Sequence, residues 1–281
     1  MEKIIALLTA LVLLCSFTCM AETLVELVPE PQMGSVGGEW AIIALARGGH
    51  AVPDGYYEGY LDRLEEALEA CGGVLHQIKR TEYSRVALAL AALGENPADF
   101  RGYDLITPLT ETDMVKIQGN NGPIWALITL DSGDYPGTDE AKAKLVVEIL
   151  SQQNEDGGFG IATGQASNID MTAMALTALA KHADEAAGCM DAALGFLAVA
   201  EFDSSESCAQ ALVAYSALNM PEAAGNMRNA LEEYAIDGGY SHLMNEMRID
   251  GMATEQAGYA IAAYERMLNG QNALFDMRDA K

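Results

Sequence analysis

Six acid or amide residues recur along the chain, and each precedes an Ala-Leu or Ala-Ile pair by five and six residues. These opening residues are Glu39, Glu82, Asn121, Asp170, Glu206 and Glu255. Their carboxylate and amide oxygens can coordinate a cation or accept hydrogen bonds from a polar ligand. If they begin neighbouring helices that run in the same direction, the six side chains meet at one end and form an acidic rim.

The spacing of the opening residues predicts the elements that carry them. Successive members lie 43, 39, 49, 36 and 49 residues apart, which leaves room for one inner helix, one outer helix and their loops in each copy. The repeats themselves are rich in Ala and nearly uncharged, as is typical of helices buried on most sides. The segments between them, such as 56–71 and 139–152, keep a charged face. We therefore expect an all-α fold with six inner helices surrounded by outer ones.

Several stretches resemble a known repeat family. Residues 151–160 (SQQNEDGGFG), 170–176 (DMTAMAL) and 253–260 (ATEQAGYA) are similar to the prenyltransferase/squalene-oxidase repeats of the terpenoid cyclase and protein prenyltransferase superfamily. The segments 37–40 and 121–125 are similar to secreted bacterial members of that superfamily. The resemblance covers residues 34–279 and implies an α6/α6 double-ring toroid domain over residues 34–281.

The N-terminus has the pattern of a secretory signal peptide over residues 1–21. It has Lys3 beside the start, an apolar run over 4–14 and the small residue Ala21 at a suitable cleavage point. The run is too short for a membrane span. We expect a secreted protein in which residues 22–33 form a linker. The residues before Cys15 and Cys19 are not the small ones of a lipoprotein site, so a lipid anchor is not expected.

The charge and cysteine content limit the partners. A net charge of −25 argues against binding to nucleic acid or anionic lipid, because both need clustered Lys and Arg. No later segment is long and apolar enough to span a membrane. The three cysteines after the signal peptide allow at most one internal disulfide. Cys189 with Cys208 is the closest pair in sequence, and buried free thiols are the alternative to it, as they are for Cys71.

The resemblance also implies motifs by which catalysis can be recognised. The Asp-x-Asp-Asp run of squalene-type cyclases and the Asp-Asp-x-x-Asp run of terpene synthases are both absent. The zinc site of the prenyltransferases needs Asp-x-Cys and a His on the next inner helix. Here Glu206 and Cys208 match the first part, but Gln256 occupies the position of the His, and Gln is not a usual zinc ligand. We therefore expect a protein that binds rather than catalyses, with a divergent terpenoid cyclase or prenyltransferase as the alternative.

The acidic rim has several interpretations. Carboxylates and Asn in the first turn of a helix bind free N–H groups and complement the macrodipole, which is a purely structural role. Arg85 and Arg248 are candidates for internal counter-ions, and calcium is a candidate cation for oxygen ligands. A polar ligand or a glycosidase-type pair of carboxylates are the remaining possibilities. His242 follows a Gly-Gly turn near the predicted rim and is the one histidine of interest.

Helical geometry predicts what lies beneath the rim. Positions four residues after each opening residue share its face, which adds Ile43 and Val86 to this surface. The predicted pocket lining is Trp40, Tyr83, Trp125, Met174, Gln210 and Tyr259. These side chains form an apolar floor with a few polar groups, which is suited to a small amphiphilic ligand and equally to a filled core.

These observations predict a secreted toroid domain that binds a small amphiphilic ligand, or another extracellular protein, at an acidic mouth. No cofactor is required, and calcium or zinc are the metals that the rim and the Glu206–Cys208 pair would suit. The resemblance to cobalamin carriers offers cobalamin as a further ligand. In those carriers a second, β-rich domain helps to hold the ligand, so cobalamin binding here would be weak or would need another chain.

Overall fold

The computed structural model describes residues 20–280. The predicted signal peptide lies outside the described residues except for its last two positions, as do Cys15 and Cys19. The described part is mainly α-helical, and its strands form one antiparallel pair, β1 (Ala235–Ile236) and β2 (Gly239–Tyr240). No helix in residues 20–280 has the length and hydropathy needed to cross a membrane. The expected all-α class is therefore confirmed.

Six repeat helices carry the opening residues. They are α2 (Glu39–Gly48), α4 (Arg80–Ala92), α7 (Asn121–Leu130), α9 (Ile169–Leu179), α11 (Ser205–Ala217) and α13 (Gly251–Leu268). Each packs against the next in this order, and α13 packs against α2, so the contacts form a closed series. The helices are buried on nearly all sides, as their Ala-rich sequences predict: in α11 only Glu206 and Ala217 are not fully buried.

Amphipathic helices separate most of the repeat helices. These are α3 (Tyr56–Cys71), α8 (Asp139–Ser151), α10 (Ala183–Val199) and α12 (Pro221–Glu232). Each buries one face; in α3 the buried residues are Tyr56, Tyr60, Leu64 and Leu68, which follow each other at intervals of four. The remaining charged face is exposed, which agrees with the predicted outer helices.

The segment between α4 and α7 departs from the predicted pattern. It holds two four-residue helices, α5 (Thr107–Thr110) and α6 (Thr112–Val115), in place of one long helix. Its sequence contains Gly94, Pro97, Gly102 and Pro108, and these residues interrupt helices because they add backbone freedom or remove an N–H donor.

The segment predicted as a linker, residues 22–33, begins as a helix. Residues 20–27 are helical (α1), and Leu24 is completely buried in the common core. After α1 the chain is held by side chains of α3: the Tyr56 hydroxyl donates to the Val28 carbonyl at 2.7 Å, and the Arg63 guanidinium donates to the Pro31 carbonyl at 2.8 Å. The segment therefore packs on the domain that follows it.

The C-terminal segment, residues 269–280, crosses the ends of the repeat helices. Arg47 is buried in α2 and donates to the carbonyls of Leu274 and Asp276 at 2.9 and 2.8 Å. The segment places the ring of Phe275 5.7 Å from Trp125 and 6.4 Å from Tyr259. Aromatic rings from two repeat helices and the C-terminal segment therefore meet in the interior.

The close packing of the repeat helices predicts the effect of a larger side chain. Ala175 in α9 is fully buried, and we expect Ala175→Leu to lower the free energy of unfolding by about 1–3 kcal/mol, because the packed helices must move apart. Urea denaturation measures the loss. Ala187→Leu, at an exposed position of α10, is the matched control, and equal stability of the two variants would contradict this packing.

The cysteines do not pair. Cys71, Cys189 and Cys208 are all free, so the Cys189–Cys208 disulfide is not formed. Cys208 is buried in α11 and Cys189 is half-buried in α10, which agrees with the alternative of buried thiols for these two residues. Cys71, at the end of α3, is exposed.

Candidate functional site

The six opening residues all lie near the start of their helices. Glu39 and Asn121 are the first residues of α2 and α7, and the others fall between the second and fifth positions of their helices. Their hydrogen bonds nevertheless divide them into separate groups. The predicted rim therefore consists of distinct local arrangements, each with its own partners.

The first group is an ion-pair network centred on Arg85. This guanidinium donates through Nε to Glu39 Oε2 at 2.8 Å and through Nη2 to Glu82 Oε2 at 2.6 Å. Glu39 is fully buried, and it also accepts from the Tyr60 hydroxyl at 3.0 Å. Burial raises the pKa of the Glu39 carboxyl, and Arg85 acts in the opposite direction. The network confirms Arg85 as an internal counter-ion, whereas Arg248 is exposed.

The second group is the single carboxyl of Glu255. Its Oε1 accepts from the Gly37 amide at 2.6 Å, and its buried Oε2 has no hydrogen-bond partner among residues 20–280. The side chain is almost completely buried, and this desolvation raises its pKa to about 7, with a smaller contribution from the negative charge of Glu39. Glu255 therefore changes its charge in the neutral pH range.

A pH-dependent stability follows from the raised pKa of Glu255. A carboxyl whose pKa rises on folding makes its full contribution to stability when the pH is below its pKa in the unfolded chain, near 4.5. This contribution is lost as the pH rises through about 7, the pKa in the folded protein. The unfolding free energy of Glu255→Gln minus that of wild type should increase by about 2 kcal/mol when the pH is raised from 5 to 8. Urea denaturation at both pH values measures this gain.

The matched control for that substitution is Glu222→Gln, at an exposed position in the first turn of α12. It makes the same chemical change without burial. If wild type and Glu255→Gln show the same pH dependence of stability, the buried carboxyl does not titrate as described.

The third group connects α9 and α11. Asp170 accepts from the Ser207 hydroxyl at 2.6 Å, and Glu206 pairs with His242 at 2.8 Å. Burial raises the pKa of Asp170, and the hydrogen bond to Glu206 raises the pKa of His242. His242 therefore lies at the predicted rim, where its partner is a carboxylate.

The predicted metal ligands do not converge. Cys208 is buried and its pKa is raised to about 12, chiefly by desolvation. Gln256 accepts a hydrogen bond from Gln210 at 2.9 Å. Within residues 20–280 there is no group of three or more His, Cys, Asp or Glu side chains placed to hold a metal ion. The candidates Glu206 and Cys208 thus lack the further ligand that zinc coordination needs.

A cavity opens at the starts of α2, α4 and α7. Its volume is about 200 Å³, and its lining residues are Ser35, Trp40, Thr81, Arg85, Gln118, Asn121 and Trp125. The two indole rings lie 5.0 Å apart and are inclined at 46°. The chain has two tryptophans in all, and both line this cavity.

Several polar groups of the cavity have no protein partner. Neither the Trp40 nor the Trp125 indole N–H donates to an acceptor in the described chain, and neither nitrogen is sealed from solvent. The side-chain amide of Asn121 is likewise unpaired there. Arg85 carries five N–H donors, of which its two carboxylate partners engage two. Gln118 differs, because its amide bonds the backbone and hydroxyl of Thr81 at 3.0 and 2.8 Å.

The predicted lining residues have different surroundings. Trp40 and Trp125 line the cavity, and Tyr259 lies beside them with its ring 5.7 Å from that of Trp40. The Tyr259 hydroxyl accepts from Gln210 at 2.6 Å, which joins these two predicted residues.

The remaining predicted residues lie elsewhere. Tyr83 is buried with the Arg80 guanidinium 5.5 Å from its ring centre. Met174 is half-buried against the core, and Ile43 and Val86 are fully buried.

Sequence reasoning missed four residues that shape this region: Ser35, Thr81, Gln118 and Phe275. Ser35 and Gln118 lie outside the repeat helices, so the repeat register does not mark them. Thr81 directly precedes the opening residue Glu82, and the sequence marks Arg85, one turn further along the helix, only as a candidate counter-ion. Phe275 comes from the C-terminal segment and contacts Trp125 from the other side.

A second cavity, of about 180 Å³, lies at the opposite ends of the repeat helices. It is lined mainly by apolar side chains such as Ile128, Val213 and Phe275. Lys181 is at its edge and donates to the Asp131 carbonyl at 2.6 Å. Trp125 lines the first cavity and Phe275 lines the second, and their contact marks the boundary between the two.

Comparison of the chain with protein families and with curated proteins gives no match.

Proposed function

We propose that this protein is a non-catalytic ligand-binding domain of the α6/α6 toroid type, and that its ligand occupies the cavity lined by Trp40 and Trp125. The signal-peptide pattern of residues 1–21 supports an extracellular location. A small amphiphilic ligand is favoured, because two indoles offer an apolar surface while an amide and a guanidinium offer hydrogen bonds.

The closed series of helix contacts supports the toroid. If α2, α4, α7, α9, α11 and α13 form an inner ring, their order around it equals their order in the chain, and the last helix returns to the first. The amphipathic helices α3, α8, α10 and α12 then belong to the outer ring. The opening residues begin the inner helices, so the cavity lies at the mouth of the ring.

One observation carries the binding function: unpaired hydrogen-bond donors and both tryptophans converge on one cavity. Two indole N–H groups and the Asn121 amide have no partner in the described part of the chain. Water can serve them in the free protein, and a ligand with matching acceptors can replace that water.

The alternatives have less support in the residues. A prenyltransferase-like enzyme needs a metal, and Cys208 and Gln256 do not provide its ligands. A cyclase needs an acid positioned at its cavity, but Glu39 and Glu82 bind Arg85 and do not line the cavity. Cobalamin is much larger than a cavity of about 200 Å³. Binding of another extracellular protein at the mouth is the second candidate, favoured by the acidic residues there.

Tryptophan fluorescence provides a direct test, because both tryptophans report on this cavity. We expect a ligand that enters it to shift or quench the emission in a saturable manner. A panel of sugars, amines, short carboxylates and isoprenoid diphosphates is titrated into the purified protein. Trp40→Phe and Trp125→Phe each leave one reporter, and both single-tryptophan proteins should respond to the same ligand.

Ligands that bind elsewhere are distinguished by the same variants. Asn121→Leu removes an unpaired amide from the cavity, whereas Asn229→Leu changes an exposed position in α12 and serves as control. Loss of the response in Asn121→Leu alone supports the proposal. An emission spectrum that no member of the panel changes would refute small-molecule binding at this site.

A further inference from the structure

The geometry points to a neutral sugar ring as the ligand of the Trp40–Trp125 cavity. This inference rests on the proposed binding function and names its ligand class. It follows from three properties of the cavity: its excess of hydrogen-bond donors, the pairing of its one charged lining residue, Arg85, with two carboxylates, and its size together with the paired indoles.

The unpaired groups of the cavity are mostly donors. Two indole N–H groups, three remaining N–H groups of Arg85 and the NH₂ of Asn121 donate, while the Asn121 carbonyl and the Ser35 hydroxyl are the acceptors without protein partners in the described chain. A ligand with several oxygen acceptors and a few donors matches this set. Hydroxyl groups serve as donor and acceptor, so a polyol can satisfy both.

Charge argues against an anion in this cavity. Arg85 is the one charged residue in the lining, and it already pairs with the carboxylates of Glu39 and Glu82. A negatively charged ligand would therefore meet no excess positive charge and would approach two carboxylates. The chain as a whole, at a net charge of −25, would also repel it.

A cation is disfavoured by the lining itself. The carboxylates of Glu39 and Glu82 accept hydrogen bonds from Arg85, and neither lines the cavity. An ammonium group brings donors to a surface that already has a surplus of them. A neutral ligand avoids both conflicts.

The size and the indoles favour a ring. A volume of about 200 Å³ is below the roughly 300–1,000 Å³ of pockets for drug-sized ligands. The half-buried Trp40 indole packs on the buried Trp125 indole at 5.0 Å and 46°, and the open part of the pair forms the apolar wall of the cavity. The C–H groups on one face of a pyranose pack on such a surface, and its hydroxyl groups then reach the polar residues at the edge.

The test compares three sugars that share a ring and differ in charge. Methyl glucoside is neutral, methyl glucuronide is an anion and methyl glucosaminide is a cation at about pH 6, where all three are titrated. The methyl glycosides of galactose, mannose and N-acetylglucosamine are further neutral members. Tryptophan emission of the full chain and isothermal titration calorimetry measure the affinity. We expect at least one neutral glycoside to bind at least about tenfold more tightly than its charged analogues.

Variants link that preference to the cavity. Asn121→Leu should weaken binding of the neutral glycoside by about tenfold or more. Trp125→Phe should also weaken its binding, which the emission of Trp40 still measures. Asn229→Leu should not alter it. Far-ultraviolet circular dichroism shows whether each variant is folded. If Asn121→Leu does not fold, the conservative variant Trp125→Phe provides the test.

The outcomes separate the two proposals. If the glucuronate or the glucosaminide binds and no neutral glycoside does, the inference of a neutral sugar is wrong, while binding at the cavity stands. If no sugar but another small molecule changes the emission of both tryptophans, the same conclusion holds. If nothing binds, both proposals fail.

Discussion

Replacing Arg85 by Met is expected to lower the free energy of unfolding by about 3–5 kcal/mol at neutral pH. The substitution keeps an apolar side chain of similar length but removes the positive charge that pairs with the fully buried Glu39. The carboxylate would keep only the Gly34 amide and the Tyr60 hydroxyl, both at 3.0 Å. A buried charge without its counter-ion is among the most destabilising changes in a protein.

The loss in Arg85→Met should depend on pH. Burial already raises the pKa of Glu39, and removal of Arg85 takes away the positive charge that lowers it. A carboxyl with a raised pKa stabilises the protein at low pH, and the contribution is lost as the pH increases. The difference between variant and wild type should therefore shrink between pH 7 and pH 5.

Two further variants control this experiment. Glu82→Gln breaks the other ion pair of Arg85 at a partly exposed carboxylate and should cost no more than about 1 kcal/mol. In the double variant Arg85→Met/Glu39→Gln the buried charge is absent, so part of the stability should return. Equal stability of Arg85→Met and Glu82→Gln would show that the buried pair is not an essential part of the fold.

Arg47→Met is expected to release the C-terminal segment and to cost about 3–5 kcal/mol. Arg47 is buried and binds three carbonyls of the segment, those of Ala273, Leu274 and Asp276. It also binds the Asp279 carboxylate at 2.7 Å. Its loss leaves the three carbonyls without this donor, while Asp279 keeps the guanidinium of Arg266. Each buried acceptor that stays unpaired costs about 1–3 kcal/mol.

Hydrogen exchange locates the effect of Arg47→Met. We expect faster exchange over residues 272–280 in the variant, and a change in tryptophan emission because Phe275 contacts Trp125. Arg278→Met is the matched control, since Arg278 is about half exposed and pairs with Asp276 at 2.5 Å. It should cost no more than about 1 kcal/mol. Unchanged exchange in Arg47→Met would mean that other contacts hold the segment.

The two arginines act at opposite ends of the repeat helices. Arg85 pairs with carboxylates at the starts of α2 and α4 beside the cavity. Arg47 binds the C-terminal segment, which crosses the other ends. The Trp125–Phe275 contact connects the two ends. Variants at either arginine therefore test the stability of the domain and the environment of the same tryptophan.

The sequence by itself determined the local elements. The opening residues do lie near the starts of six largely apolar helices, because an acid or amide before an apolar run is a local signal that needs no distant partner. The placement of Trp125 beneath this end also followed from helical periodicity, whereas Trp40 directly follows Glu39 in the sequence. The missing long helix between α4 and α7 could have been anticipated from its glycines and prolines.

Only the tertiary structure decided which charges are compensated. Arg85 was one of two candidate counter-ions, and nothing in the sequence distinguished it from Arg248. Its partner Glu39 lies 46 residues away, and the contact of Glu255 with Gly37 spans 218 residues. Such pairs depend on how the helices pack, so a local pattern does not reveal them.

The same holds for the candidate site. Helical register places Trp40 and Trp125 near the starts of two helices, but their contact with each other and with Phe275 depends on packing between three parts of the chain. The unpaired donors exist because the surrounding backbone offers them no acceptor. Residue types and spacing thus determined the helices and their polar ends, and the packing of those helices determined which groups remain free to bind a ligand.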